Sequence, residues 1–270
     1  MMVVYLLQWD VVWNDKQANF RKVRDLLSTV SVKKGSLIAL PEMFATGFMH
    51  APKEGAAEDF SLTDSSTVAF LSDLAKETES VVLGGGIAVD GSSLKNRVGV
   101  FFPKQENPIL VYDKMQPFFS EKKYFSAGSE VVSFDWNGLK ISPFICFDLR
   151  FPEHFRKAVS LGSEAFYVGA SWPSVRDSHW EILLKARAIE NQSYVFGVNR
   201  IGKDPYASYA GGSCIISPKG EVLASAFNKE MVISAEVNPE EVREWRKEFP
   251  VLAEAFPFFC ENNRIFLYRL

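Results

Sequence analysis

Glu42, Lys114 and Cys146 share one feature: each stands at or just past the end of a short apolar run. Glu42 follows residues 37–41, Lys114 follows 109–113 and Cys146 follows 141–145. Together the three side chains would suffice for acyl transfer. A cysteine is a strong nucleophile once it is a thiolate. A carboxylate beside it can take its proton. An ammonium nearby steadies both the thiolate and the oxyanion of a tetrahedral intermediate. A sheet brings several strand ends to one rim, so strand ends are where such a set is assembled. Each residue also has a plain structural reading: Cys146 as a small buried hydrophobe, Glu42 as a solvated cap after a proline, and Lys114 as a surface lysine.

The apolar runs belong to a chain in which strands and helices alternate. Residues 3–9 read as a strand, 18–30 as a helix, and 37–40 as a strand stopped by Pro41, which cannot donate to a ladder. Residues 67–79 are an amphipathic helix with Val68, Leu71, Leu74 and Ala75 on one face. A strand over 81–89 runs into the hairpin signal Asp90-Gly91, and strands over 96–102 and 109–112 follow. The second half has a similar outline. A strand over 138–144 ends at Cys146, and a helix over 152–161 has Pro152 in its first turn. A strand over 165–168 leads to Ser171-Trp172, and a helix covers 179–191. Strands over 194–198, 212–216, 222–226 and 231–237 precede a charged helix over 239–248. No Ser/Gly-rich linker divides the chain, so residues 1–270 read as a single α/β domain with mixed sheets flanked by helices.

Composition narrows the function classes. With 47% hydrophobic and 23% charged residues, the chain is not disordered, collagen-like or coiled-coil. A net charge of -3 lacks the basic excess of a nucleic-acid binder. No stretch approaches the roughly 18 apolar residues of a membrane span. The first residues carry no basic leader, which points to the cytoplasm. The 3 cysteines, Cys146, Cys214 and Cys260, are odd in number, widely spaced and without a CxxC pair, so neither a disulfide scaffold nor a zinc ribbon is expected. No HExxH occurs, and no metal site is expected. Cys214 lies in a strand and reads as buried and inert.

Read as motifs, the same residues resemble a known family. Leu40-Pro41-Glu42-Met43-Phe44-Ala45-Thr46-Gly47-Phe48 is similar to the first signature of the nitrilase, or carbon–nitrogen hydrolase, superfamily. Val111-Tyr112-Asp113-Lys114 resembles its lysine signature, and Cys146-Phe147-Asp148-Leu149-Arg150-Phe151-Pro152-Glu153 its cysteine signature. Gln8-Trp9-Asp10 with Trp13 and Asn19, the block 186–191 and Gly211-Gly212-Ser213 fit further blocks, so the resemblance covers nearly the whole chain. It implies a four-layer αββα sandwich of the nitrilase type that commonly dimerises, and thiol acyl transfer with no metal or cofactor. By that resemblance Cys146 is the nucleophile on an amide or nitrile carbon and Glu42 the general base. Lys114 and the backbone N–H of Phe147 would hold the oxyanion. Many members carry a second glutamate before the cysteine signature. Glu121, ahead of Tyr124-Phe125-Ser126-Ala127-Gly128, matches it and would orient Lys114 or the attacking water; the alternative is a surface residue in the triplet Glu121-Lys122-Lys123. One departure stands out. The family commonly has a histidine two positions after the lysine, followed by Leu-Phe, whereas this chain reads Lys114-Met115-Gln116-Pro117-Phe118. Its consequence is expected in the local loop rather than in the triad.

Ser171-Trp172-Pro173, Arg176 and His179-Trp180, continued by residues 191–202, resemble the omega-amidase branch. That branch hydrolyses the terminal amide of 2-oxo dicarboxylic acid monoamides, such as 2-oxoglutaramate and 2-oxosuccinamate, to the 2-oxo acid and ammonia. Such a small-molecule substrate bears a carboxylate, so the resemblance calls for a cation in the pocket. Arg150 and Arg176 are the candidates, with a buried pairing of Arg150 to Asp148 or Glu153 as the alternative. Trp172, Phe44 and Phe118 are candidate pocket walls or else core. Arg187 and Glu190, one turn apart, read as a structural ion pair. The aromatic tail with Phe256-Pro257-Phe258-Phe259, Cys260 and Phe266-Leu267-Tyr268, within the segment from about 240 to 270, is expected at a homodimer interface. The competing functions are another amidase of the superfamily (an N-carbamoyl or aliphatic amide hydrolase), a non-catalytic binding protein on the same fold, and a thiol-redox sensor. The last lacks a resolving cysteine near Cys146.

Overall fold

A computed structural model describes residues 2–105, 108 and 110–254. The elements follow in chain order: β1 (Met2–Gln8), α1 (Lys16–Ser28), β2 (Leu37–Ala39), α2 (Ser66–Thr78), β3 (Val81–Asp90), β4 (Ser93–Phe101) and β5 (Leu110–Asp113). The second half gives β6 (Phe134–Trp136), β7 (Leu139–Ile145), α3 (Pro152–Ser160), β8 (Ala165–Gly169), α4 (Asp177–Asn191), β9 (Tyr194–Val198), β10 (Ile201–Lys203), β11 (Ser208–Ile216), β12 (Val222–Phe227), β13 (Met231–Val237) and α5 (Pro239–Glu248).

These strands make two sheets. The first runs β13-β1-β2-β3-β4-β5, and the second β10-β11-β9-β8-β7-β6 with β12 paired to β11. Strand alternation explains the layering, because successive side chains leave opposite faces. On β1, Val4 and Leu6 join a core shared with Phe144, Phe166 and Phe196 of the second sheet. Val3, Tyr5 and Leu7 face the other way, onto Phe20, Val23 and Leu27 of α1 and Leu71 and Leu74 of α2. The outer face of the second sheet is covered by α3 and α4. Phe155 of α3 lies 4.1 Å from the Phe144 ring and 5.1 Å from the Phe166 ring, centroid to centroid. The result is the four-layer αββα sandwich, with the central strands of both sheets buried on both faces. That is why strands such as 81–83 read as continuous apolar runs rather than alternating ones.

The topology sets the rim. β1, β2 and β3 are parallel, and β5 returns to their direction after the antiparallel β4. β7, β8 and β9 are likewise parallel. Hence Glu42 (past β2), Lys114 (past β5), Cys146 (past β7) and Ser171 (past β8) all leave carboxyl ends. The two rims are tied together where Tyr167 of β8 donates its hydroxyl to the Leu40 carbonyl at 2.6 Å.

Some elements depart from the sequence reading. β6 and β10 are only three residues each, too short to show a period. β11 begins at Ser208 rather than near 212, because β10 pairs with residues 208–210 before β9 takes over from 214. β13 crosses to pair with β1 along seven residues, so the end of the chain closes the first sheet. α5 docks on the second half, where Arg246 donates to the carbonyls of Ser163, Asn191 and Gln192. The tail residues 256–260 and 266–268 lie outside the described residues.

Candidate active site

Cys146 opens a short 3-10 turn, Cys146–Arg150, directly after β7. Its φ of 45° lies in the left-handed region, which a residue with a Cβ occupies only when its surroundings compel it. The compulsion comes from Asp148, which is fully buried. Its Oδ2 accepts from the Ile145 N–H (3.0 Å) and the Tyr112 hydroxyl (2.8 Å), and its Oδ1 accepts from the Gln116 N–H (2.8 Å). Asp148 therefore buckles the turn that carries Cys146 to the loop that follows Lys114. The altered flank Gln116-Pro117 keeps this tie through its backbone, while the Gln116 side chain rests against the His154 imidazole of α3 at 3.4 Å.

Burial pushes the Asp148 carboxyl up to about 7, against the opposing pull of those hydrogen bonds and of Lys114. An unfolded aspartate releases its proton near pH 4. Between that pH and about 7 the folded protein thus holds a proton that the unfolded chain has lost, and this group lowers stability as pH rises through the window. Asp148→Asn cannot titrate. The melting temperature of the variant, read against the wild type, is expected to improve steadily from pH 4 to 7; parallel curves would contradict this.

Lys114 is buried at 1% exposure between two carboxylates. Its Nζ donates to Glu42 Oε1 (2.8 Å) and Glu121 Oε2 (2.7 Å). An ammonium has three N–H donors, so one remains, and Lys114 lines the cavity beside Cys146. Its strand end is fixed by two main-chain bonds, from its own N–H to the Asn96 carbonyl and from Gly128 N–H to its carbonyl, each 2.9 Å. Gly128 is needed there: a Cβ would fall 2.1 Å from the Asp113 carbonyl oxygen. Burial alone would lower the lysine pKa, but Glu121 and Glu42 outweigh it and hold the group well above the ordinary lysine value.

Glu42 is 4% exposed and Glu121 fully buried, which removes the surface reading of Glu121. The oxygens of Glu121 accept from Asn96 Nδ2 (2.9 Å), Lys114 Nζ (2.7 Å) and the Phe118 N–H (2.6 Å). Glu121 is therefore committed to orienting its neighbours. Glu42 Oε1 accepts from Lys114 and from Asn96 Nδ2 (2.8 Å), and its Oε2 accepts from the Ser171 N–H (2.9 Å). Its Oε2 retains a lone pair. Burial first, and then the charges of Glu42 and Glu121, push the Cys146 thiol well up, while Lys114 and the Ser171 amide pull it down. The Cys146 thiol is thus held towards its neutral form, with a carboxylate and an ammonium beside it.

Lys114, Cys146 and Ser171 line a cavity of about 350 Å³. Phe48, Phe118, Phe147, Trp172 and Tyr209 wall it, and His50, Val175 and Tyr206 stand among its lining residues. Phe44, expected as a wall, is not among them. It is fully buried against Trp9, Phe20 and Phe70, in the outer layer beneath α1 and α2. The turn after Glu42 enters left-handed backbone at Met43 (φ 46°) and again at Gly47 (φ 74°), and Phe48 is the ring it delivers to the pocket.

Arg150 and Arg176 both line the cavity. The Arg150 guanidinium lies 4.8 Å from the Trp172 ring centroid, with Nη2 3.2 Å from His179 Nδ1. Arg176 lies 5.9 Å from the Phe118 ring centroid, and its carbonyl receives the Trp172 indole N–H at 2.8 Å. Among the described residues neither arginine makes an ion pair with an Asp or Glu. The alternative pairing of Arg150 with Asp148 or Glu153 does not occur, because Asp148 is spent on Tyr112, Ile145 and Gln116. Burial lowers the Arg150 pKa, and the Arg176 charge lowers it further. Among the described residues these two cations face one pocket without a counter-ion, while Arg187 does pair with Glu190 at 2.8 Å as expected.

Sequence reading missed Asn96, the buckling role of Asp148, the Ser171 amide, and the wall formed by Tyr209. Asn96 did leave a trace: it continues the inward face of Val98 and Val100 on β4, where a polar residue stands out. Tyr209 sits in the part of β11 that was not anticipated; its hydroxyl donates to Asp204 at 2.6 Å and its ring covers Arg200 at 4.5 Å. Cys214 is buried in β11, its thiol pushed up to about 12 by desolvation, and it lies away from this site.

Comparison with known proteins agrees with the geometry. The chain matches the carbon–nitrogen hydrolase family over residues 4–247. It is 34% identical over 247 residues to a 2-oxoglutaramate amidase of Bacillus subtilis, covering 91% of this chain and 94% of that one. It is 36% identical over 259 residues to the omega-amidase YafV of Escherichia coli, covering 94% and 97% respectively. A solved CN-hydrolase superfamily protein of Xanthomonas campestris, with an arsenic adduct in its active site, superposes with a TM-score of 0.86 at 30% identity, covering 95% of this chain and 97% of that one. With the Glu42–Lys114–Cys146 constellation at the sheet rim and these matches along its length, the chain belongs to the carbon–nitrogen hydrolase family.

Proposed function

We propose that this protein is an omega-amidase, which hydrolyses the terminal amide of 2-oxo dicarboxylic acid monoamides such as 2-oxoglutaramate and 2-oxosuccinamate. The observation that carries the reading is the pair Arg150 and Arg176, unpaired cations lining the same cavity as Cys146. A carboxylate at the far end of the substrate supplies their missing counter-charge and points its amide at the thiol. The activities named for the Bacillus subtilis and Escherichia coli relatives support the same substrate class.

The chemistry follows from the hydrogen-bond inventory. As Cys146 Sγ attacks the amide carbon, its proton passes to the free lone pair of Glu42. The carbonyl oxygen becomes an oxyanion, met by the third N–H of Lys114. The Phe147 N–H, at the start of a helical turn where such donors lack a partner, is the second donor. Glu42 returns the proton to the nitrogen, the C–N bond breaks, ammonia leaves, and a thioester remains. Water attacks the thioester with Glu42 as base. The C–S bond then breaks, the proton returns to sulfur, and the 2-oxo acid departs. The aromatic walls keep bulk water from the intermediate.

Each arginine is expected to contribute a charge-assisted contact of about 2 kcal/mol. Arg150→Ala and Arg176→Ala should each lower kcat/KM for 2-oxoglutaramate about 30-fold. Amides of matched length without the carboxylate should be poor substrates of the wild type and insensitive to either change. A wild type that prefers simple aliphatic or N-carbamoyl amides would replace this reading with the neighbouring amidase activity.

A homodimer belongs to the same proposal. Ile182 and Ile189, exposed on one face of α4, and exposed Val222, Leu223 and Phe227 on β12 leave apolar surface that a second copy would cover. Light scattering should give the mass of a dimer; a monomer mass would contradict it. Among the described residues no helix is long and apolar enough to cross a membrane. A cytoplasmic location suits a free catalytic thiol, which stays reduced there.

A further inference from the structure

We propose that Asn96 is a positioning residue, whose side-chain amide holds Glu42 and Glu121 as two separate carboxylates around Lys114. This rests on the reading of Glu42 as the base that accepts the thiol proton. Asn96 is 3% exposed on β4 and does not line the cavity, so it has no direct contact with substrate. Its Nδ2 carries two hydrogens, and both are used: one on Glu42 Oε1 at 2.8 Å and one on Glu121 Oε1 at 2.9 Å. Its carbonyl takes the Lys114 N–H at 2.9 Å. One residue thus fixes all three charged members of the site, two through its side chain and one through its backbone.

The physical need is clear from charge counting. Glu42 and Glu121 bring two negative charges into a dry space, and Lys114 brings one positive charge. Carboxylates crowded together in low dielectric tend to share a proton, unless hydrogen bonds favour the charged form of each. A proton shared by Glu42 and Glu121 would neutralise the carboxylate that must accept the thiol proton. Asn96 supplies two donors with no charge of its own and no proton to give away. Besides Lys114 and Glu121, Glu42 meets the Cys146 thiol and the Ser171 amide, while the hydroxyls of Tyr167 and Tyr209 within reach of its charge donate to the Leu40 carbonyl and to Asp204. None of these replaces the missing donor from the Asn96 side.

The test uses Asn96→Leu, which keeps the shape without the donors, and Asn96→Asp, which keeps the shape and adds a third carboxylate. Two readouts are taken from pH 5 to 9. One is ammonia release from 2-oxoglutaramate; the other is the rate at which iodoacetamide alkylates Cys146, followed on its own peptide by mass spectrometry. For Asn96→Leu, kcat should fall about 100-fold with KM changed less than about threefold, the size expected when a base is lost in the transition state only. Alkylation should slow at least about tenfold, and the acid limb of both profiles should move to higher pH. Asn96→Asp should be impaired at least as much at neutral pH. Profiles of wild-type shape in a variant that melts as a folded protein would overturn the proposal. So would an Asn96→Asp enzyme as active as the wild type, which remains decisive if the leucine variant does not fold. Alkylation needs no substrate. A wild type inert towards 2-oxoglutaramate would therefore sink the omega-amidase reading while leaving Asn96 still under test.

Discussion

Cys146→Ala is expected to reduce amide hydrolysis by on the order of 10⁴-fold or more, the scale seen when a covalent nucleophile is deleted. Among the described residues the only other free cysteine, Cys214, is buried in β11 and held protonated by desolvation. The loss should come with little change in stability. The left-handed turn at residue 146 is imposed by Asp148, Tyr112 and Gln116, none of which contacts the sulfur through a hydrogen bond. Alanine meets the same backbone strain as cysteine. Removing one partly buried sulfur should therefore shift stability by about 1 kcal/mol or less. Substrate should still bind to the variant, because Arg150 and Arg176 are untouched. Isothermal titration of Cys146→Ala with 2-oxoglutaramate, beside an activity assay, checks both halves. A variant retaining a tenth of the wild-type rate would contradict the assigned nucleophile.

Lys114→Met should damage fold and activity together. Methionine nearly matches the lysine in length but removes the cation from between two buried carboxylates. Breaking a buried pair by deleting one partner typically costs about 3–5 kcal/mol, because the remaining charge keeps its desolvation penalty. A loss of that size in a chain of this length lowers the melting temperature by about 10 °C. Because the Lys114 pKa is raised in the folded protein, the pairing stabilises at every pH below the ordinary lysine value. It is lost only in strong alkali, as pH rises through the raised value. The deficit of the variant should thus be present across pH 6–9. Catalysis should fall by about 10³-fold, since an oxyanion donor alone accounts for about 10²–10³. A variant as stable as the wild type at pH 7, measured by thermal denaturation, would refute this description of the cluster.

The grouping of Glu42, Lys114 and Cys146 was legible because their residue types fall at strand ends and sit within three ordered motifs. The layered fold was legible because long apolar runs and amphipathic helices alternate. What could not be read depends on contacts between distant positions. Asn96 lies 54 residues from Glu42 and 25 from Glu121. Asp148 lies 36 residues from Tyr112. No local pattern announces which polar group a fold will place between two others. Glu121 could be read as surface from its charged neighbours, yet its oxygens are taken by Asn96, Lys114 and Phe118, while Lys122 and Lys123 turn outward. Phe44 and Phe48 are alike in sequence; the two left-handed residues in the turn decide which ring meets the pocket. The first residues of β11 were missed because their pairing partner, β10, is a strand of three residues with no period of its own.

The most direct test of the account is ammonia release from 2-oxoglutaramate by the purified protein, with Cys146→Ala run beside it. Steady release by the wild type is expected, with none above background from the variant. Ammonia from neither would contradict the substrate assignment, and equal ammonia from both would contradict the role of Cys146.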